Sequence, residues 1–192
     1  MKAPFGSDRP RPKLIVMSAT LEADKFAAFF AANVYTIPGR IHAVNITYCD
    51  LITKEEDGGN SYVRHAVSVV MDIHTKQVAG DVLVFLTGQA EIEHACRVLY
   101  ESSETLDYRY DVEDLTVNGL MILPVFGNLP TDVQQRVFKP APLGIRKIIL
   151  ATDIASTSLT IDGIVYVVDS GFVKQKTFNA VTGLDTLQVH QI

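Results

Sequence analysis

Gly80-Asp81-Val82-Leu83-Val84-Phe85-Leu86-Thr87-Gly88-Gln89-Ala90-Glu91-Ile92-Glu93 holds the pattern that decides the fold. Asp81–Leu86 is a short, almost continuous apolar run, which reads as a buried strand. Thr87-Gly88 breaks the run, and Gln89–Tyr100 reads as a helix. The alternation repeats downstream: Met121–Val125 is strand, Asp132–Val137 a short helix, and Lys147–Ala151 and Ile164–Asp169 are strands. Continuous apolar strands separated by amphipathic helices imply an α/β domain with a parallel sheet covered by helices on both faces. Two last strands, near Val173–Phe178 and Leu184–Val189, are too close together for a helical crossover. Asn179-Ala180-Val181-Thr182-Gly183 between them reads as the turn of a β-hairpin near the C-terminus.

Upstream of the decisive stretch, Ser61 can cap a helix over Tyr62–Gln77, whose apolar side holds Val63, Ala66, Val67, Val70, Met71 and His74. Thr53–Asn60 is a polar break and the clearest boundary in the chain. Before it, Lys13–Met17 reads as a buried strand, Leu21–Ala32 as a helix, and Val34–Ile37 and Val44–Tyr48 as short strands around Pro38-Gly39. The expected division is therefore residues 1–52, a linker at 53–60, and a main domain over 61–192.

Bulk composition excludes several classes. Of 192 residues, 47% are hydrophobic and 20% charged, ordinary values for a domain that builds its own core. No run approaches the ~20 apolar residues of a membrane span, and the opening ten residues have no apolar core and read as a linker rather than a secretory signal. Cys49 and Cys96 stand far apart, which suits reduced thiols better than a disulfide. The five histidines show no metal-ligand spacing, so no metal site is expected. Net charge is −5, unlike a free-standing nucleic-acid binder. Much of it sits in Glu104, Asp107, Asp111, Glu113 and Asp114, which read as a solvated acidic loop.

Open parallel sheets bind ligands beyond the carboxyl ends of their strands. Three loops qualify: Leu86–Gln89, Phe126–Pro130 and Thr152–Ser158. Their small and hydroxylated residues let backbone amides and hydroxyls approach a phosphate. The sequence has no Gly-x-x-x-x-Gly-Lys-Ser/Thr phosphate cradle, no Gly-x-Gly-x-x-Gly and no Gly-x-Ser-x-Gly.

Four segments, in order, carry a family resemblance. Val16-Met17-Ser18-Ala19-Thr20-Leu21 resembles the Ser-Ala-Thr motif of superfamily 2 helicases. Gly80–Glu93 resembles motif IV of the DEAH-box RNA helicases, and Leu129-Pro130-x-x-x-Gln134-Gln135-Arg136-Val137-Phe138 resembles the loop and short helix that follow it. Ala151-Thr152-Asp153-Ile154-Ala155-Ser156-Thr157-Ser158-Leu159-Thr160-Ile161-Asp162-Gly163-Ile164 resembles motif V, and Gly171–Lys176 continues the match. The resemblance implies a second RecA-like domain preceded by the end of the first.

It also implies roles. Ser18, Ala19 and Thr20 would couple the ATP site to strand movement. Phe138 would stack on adenine, and Asp162 would hold the ribose hydroxyls. Thr87, Gly127, Asn128, Thr152, Ser158 and Thr160 would follow an RNA backbone, with Lys174 and Lys176 on the hairpin beside them. The parent would be an RNA-stimulated ATPase using ATP with Mg2+, whose ligands lie outside this sequence. Its partners would be RNA, the first RecA-like and C-terminal domains of the same chain, and a glycine-rich-patch activator, with no membrane. A nuclear or nucleolar location would follow. The phosphate-binding loop, the Asp-Glu-Ala-His box and the Gln-x-x-Arg-x-Gly-Arg motif are not in this sequence, so the chain alone is expected not to hydrolyse ATP. Asp153 and Ser156 stand where the family usually has Asn and Glu. That departure keeps a catalytically degenerate binding or scaffold module open as an alternative, and a DNA-directed helicase is a further one.

Overall fold

The computed structural model describes residues 13–17, 22–39, 42–49, 61–153, 161–179 and 183–192. The chain divides into two compact units, Met1–Cys49 and Asp50–Ile192. In the first, helix α1 spans Ala23–Phe30 and ends at Ala31 in the left-handed conformation. It is shorter than the expected Leu21–Ala32. The strands expected at Lys13–Met17, Val34–Ile37 and Val44–Tyr48 are not formed. A strand exists only through its ladder partner, and among the described residues none pairs with these stretches. Leu14, Ile15, Met17, Tyr35, Ile37, Val44, Ile46 and Tyr48 are accordingly exposed rather than buried.

The second unit is the α/β domain. Helix α2 spans Ser61–Lys76, starting at the residue expected to cap it. Strand β1 (Asp81–Phe85), helix α3 (Gln89–Glu104) and strand β2 (Gly119–Val125) follow. A short helix α4 (Thr131–Gln135) tightens into a 3-10 turn at Arg136–Phe138. Strands β3 (Ile145–Ala151) and β4 (Ile164–Asp169) complete a sheet of order β2-β3-β1-β4. Every pairing in it is parallel, with Leu83 opposite Ile149 and Val167, and Ile149 opposite Leu123. Strands β5 (Phe172–Asn179) and β6 (Leu184–Gln191) form an antiparallel hairpin.

Strand periodicity sends alternate residues to opposite faces. Val82, Val84, Ile148, Leu150 and Val168 pack with Val63, Val67 and Val70 of α2 and Ile92, Ala95 and Leu99 of α3. Leu123, Val125, Ile149 and Ala151 face the other way and bury Val137 of the 3-10 turn. Phe172 and Val189 attach the hairpin base to the first cluster.

The acidic segment is more built than a solvated loop. Val112 and Val117 are buried, Tyr108 meets the buried His74 edge-on with 3.2 Å from its hydroxyl to Nε2, and the Glu113 amide donates to the Thr75 carbonyl. Asp114 accepts from the Ala79 and Thr116 amides, while Asp107 pairs with Arg109 at the surface. Cys49 is an exposed free thiol; Cys96 is half-buried, and burial pushes its thiol up to about 11. Among the described residues no helix is long and apolar enough to cross a membrane.

Candidate functional site

The carboxyl edge of the sheet carries the loops Leu86–Gln89 and Phe126–Pro130 and the start, Thr152-Asp153, of the third. Ladder hydrogen bonds continue one residue past the strands: the Leu86 amide donates to Ala151, Thr152 to Val125, and Ser170 to Phe85. These bonds line up Leu86, Phe126, Thr152 and Ser170 in one row, with Thr87 one residue beyond it. Thr87 is only 9% exposed. Its hydroxyl lies 2.7 Å from that of Tyr62, whose ring stacks on Phe172 at a centroid distance of 4.5 Å. The Thr152 hydroxyl is buried without a hydrogen-bond partner among the described residues, as is that of Ser170. Gly127 and Asn128 are exposed, in a turn closed by the Leu129 amide on the Phe126 carbonyl and braced by Gln134 on the Leu129 carbonyl at 2.9 Å.

The hairpin lysines diverge. Lys174 lies 3.8 Å from Glu91, at the start of α3 beside Gly88, and so joins the Thr87 loop. Lys176 instead pairs with Asp185 on the opposite strand at 2.5 Å. Burial is the main cause that raises the Tyr62 phenol above its ordinary pKa, with the Glu91 charge adding to it. Asp153 is exposed in the turn after β3. Ser18, Ala19, Thr20, Ser156, Ser158 and Thr160 lie outside the described residues.

Phe138 and Asp162 belong to the other end of the sheet. Phe138 is 46% exposed and Asp162 is exposed in the turn leading to β4. Gly163 follows at φ +90, a conformation L-residues rarely adopt, and a Cβ there would stand 3.1 Å from the Asp81 carboxylate. Two neighbours in β3 hold this end together. Arg146, 2% exposed, donates to the Ile73, Gln77 and Val78 carbonyls at the end of α2 and lies over the Tyr166 ring. Burial pushes its guanidinium below the ordinary value, against the raising effect of Tyr166, Asp114 and Asp81. Lys147, 1% exposed, points to the opposite face. Its ammonium donates to the Val137 and Lys139 carbonyls at 2.9 and 3.1 Å and lies 3.4 Å from Asp81.

Sequence reading missed Tyr62, Asp81, Arg146, Lys147 and Glu91. Arg146-Lys147 carried a usable signal: two charges at the head of a strand buried on both faces must each find partners. Tyr62 and Glu91 carried none, because their partners Thr87 and Lys174 are distant in sequence.

An edge of backbone amides and hydroxyls can follow a sugar–phosphate strand, and an exposed aromatic and an exposed carboxylate at one sheet end can take a base and a ribose. Phe138 and Asp162 thus suit one wall for a nucleoside. Among the described residues no three His, Cys, Asp or Glu side chains cluster to hold a metal ion.

Residues 65–183 match the helicase conserved C-terminal domain, and the chain belongs to that family. It is 51% identical over 178 residues to the probable ATP-dependent RNA helicase DHX40 of Homo sapiens, covering 92% of this chain and 23% of that protein. It is 48% identical over 185 residues to the pre-mRNA-splicing factor ATP-dependent RNA helicase prp22 of Schizosaccharomyces pombe, covering 96% of this chain and 15% of that one. The crystal structure of the Escherichia coli DEAH/RHA helicase HrpB matches with a TM-score of 0.72 at 29% identity, over 92% of this chain and 20% of that one. Fold and relatives agree on the DEAH-box kind of second RecA-like domain, within superfamily 2. The chain spans less than a quarter of the length of these relatives.

Proposed function

We propose that this chain supplies one half of an ATP-dependent RNA helicase motor. The carboxyl edge of the sheet holds an RNA backbone through Gly127, Asn128, Thr87 and Thr152, with Ser158 and Thr160 in the same motif and Lys174 and Lys176 on the hairpin. Contacts of this kind grip a strand without reading its sequence. At the other end, Phe138 and Asp162 form one wall of the ATP cleft. The observation that carries the reading is this separation: an exposed aromatic and an exposed carboxylate stand at one end of the sheet, and the Thr87 and Thr152 hydroxyls at the other. Family membership supports it, as do the relatives named ATP-dependent RNA helicases.

In this reading residues 1–52 end the first RecA-like domain, with Ser18, Ala19 and Thr20 coupling the two, 53–60 pass between them, and 61–192 are the second domain. The first RecA-like domain supplies the opposite wall and the Mg2+ ligands, and closure of the cleft on ATP is relayed to the RNA edge as a shift along the strand. Domains further along the same chain and a glycine-rich-patch activator complete the set of partners. A nuclear place of action fits the splicing-factor relative.

The test is ATP hydrolysis by the full-length protein with single-stranded RNA, with DNA, and with neither. RNA-specific stimulation is expected, together with negligible turnover by the 192-residue chain alone. Robust hydrolysis by that chain overturns the half-motor reading. Asp153, a carboxylate at the RNA edge, favours a second reading, a degenerate scaffold. A folded full-length protein that turns over ATP under none of the three conditions decides for it.

A further inference from the structure

Phe138 has little of its own to hold it. It is nearly half exposed and joins neither core cluster, so the position of the ring is the position of its backbone. That backbone is held from both sides by one group. The Lys147 ammonium donates to the carbonyl before Phe138 and to the carbonyl after it. An ammonium has three donors; two go to these carbonyls, and the Asp81 carboxylate stands 3.4 Å from it as an ion-pair partner. Asp81 in turn accepts from the Lys147 amide at 3.0 Å with its other oxygen. Its own amide donates to the Gly163 carbonyl at 3.1 Å, one residue from Asp162. A single buried network therefore connects the two residues of the nucleoside wall.

We infer that Lys147 is a positioning residue for nucleotide binding: through Val137, Lys139 and Asp81 it sets the Phe138 ring and the Asp162 turn in one frame. The inference rests on the reading of Phe138 and Asp162 as the nucleoside wall. Lys147 acts only through them, because at 1% exposure it cannot itself meet a ligand. A lysine that merely stabilised the fold would lower the melting temperature and leave nucleotide affinity alone.

The experiment measures ATP KM, kcat, RNA affinity and thermal unfolding of the full-length protein carrying Lys147→Met, Asp81→Asn, Phe138→Ala, or Lys147→Met with Phe138→Ala. Lys147→Met keeps the aliphatic stem and removes the donors. It is expected to raise ATP KM about tenfold, the scale of a lost aromatic stack. Expected with it are kcat at saturating ATP and RNA affinity within about twofold of the parent. The double variant is expected to be no worse in KM than Phe138→Ala alone, since both changes remove the same platform. Asp81→Asn, which keeps the shape and loosens the ammonium, is expected to raise KM about threefold. A folded Lys147→Met protein with ATP KM within about twofold of the parent, beside a Phe138→Ala protein raised tenfold, overturns the inference and leaves the wall standing. Should Lys147→Met fail to fold, Asp81→Asn decides alone: an unchanged KM overturns the inference. An unchanged KM in Phe138→Ala overturns the wall itself, and the inference with it.

Discussion

At the amino ends of the strands, Arg146 and Lys147 stand side by side in β3, and both are almost wholly buried. At the carboxyl ends the comparable positions are hydroxyls: Thr87 tied to Tyr62, and Thr152 and Ser170 without a hydrogen-bond partner among the described residues. One end of the sheet is fixed by full charges whose donors are largely spent on backbone carbonyls. The other presents neutral groups with hydrogen-bonding capacity left over. The difference fits two kinds of ligand. A nucleoside wall is a small site whose two members must keep a fixed geometry. A surface that releases and regains a backbone at each step is better served by weak neutral contacts than by tight charge pairs.

The largest expected effect separates the two faces at the charged end. Arg146→Met removes three hydrogen bonds at the end of α2; Ile73 keeps the Gln77 amide and Val78 the Tyr166 hydroxyl, and at about 1 kcal/mol for each bond lost the change is expected to cost about 3 kcal/mol of stability. The urea midpoint, at unchanged slope, is the measurement. Because Arg146 faces α2 while Lys147 faces the 3-10 turn, the full-length variant should keep its ATP KM. A raised KM would mean that any disturbance of this end reaches the nucleotide, and the contrast between the two neighbours would be lost.

Acid should strike the same end. His74 is buried, and burial first, then the Arg146 charge, lowers its pKa to about 4. The unfolded imidazole takes a proton near 6.5 and the folded one only near 4, so between these values the unfolded state binds more protons. The contribution of neutral His74 is thus whole above about pH 6.5 and declines as pH falls towards 4. At 1.36 kcal/mol for each unit, the loss is up to about 3 kcal/mol. Denaturation profiles at several pH values should show this slope, and His74→Gln should flatten it. A slope that survives in the variant would place the acid sensitivity elsewhere in the sheet.

Phe138→Ala tests the wall directly. The ring is too exposed to matter much for folding, so a stability change within about 1 kcal/mol is expected. An increase of about tenfold in ATP KM with unaltered RNA affinity would keep the two ends separate in function. Loss of both affinities together would show that the sheet does not insulate one end from the other.

Much of this architecture is legible in the sequence. The parallel strands begin and end within two residues of their expected positions, because apolar runs bounded by turns are strong local signals. The strands expected before residue 50 are not formed, because their β-forming character says nothing about whether a partner is present. At the site, Phe138 and Asp162 are named by the resemblance to a helicase motif, and both are exposed. What holds them did not emerge, since Lys147 reaches Asp81 across 66 positions. Pairing over such distances leaves no periodicity in the chain.

The smallest effect expected is at the neutral end. Tyr62 and Thr87 share one hydrogen bond in which either oxygen can donate. With Tyr62 donating, the Thr87 proton is free for an external acceptor such as a phosphate oxygen. With Thr87 donating, it is spent. Tyr62→Phe keeps the stack on Phe172 and removes the choice, so the Thr87 hydroxyl loses its anchor and its fixed direction. One neutral hydrogen bond is worth about 1 kcal/mol, which corresponds to roughly fivefold in RNA affinity. Titration of a labelled single strand with the full-length variant measures it, with ATP KM expected to stay at the parent value. If RNA affinity is untouched while Thr87→Val weakens it, Thr87 acts without Tyr62, and the carboxyl edge is a set of independent contacts. If neither change matters, the exposed Gly127–Asn128 turn carries the grip, and the buried hydroxyls serve the packing beneath it.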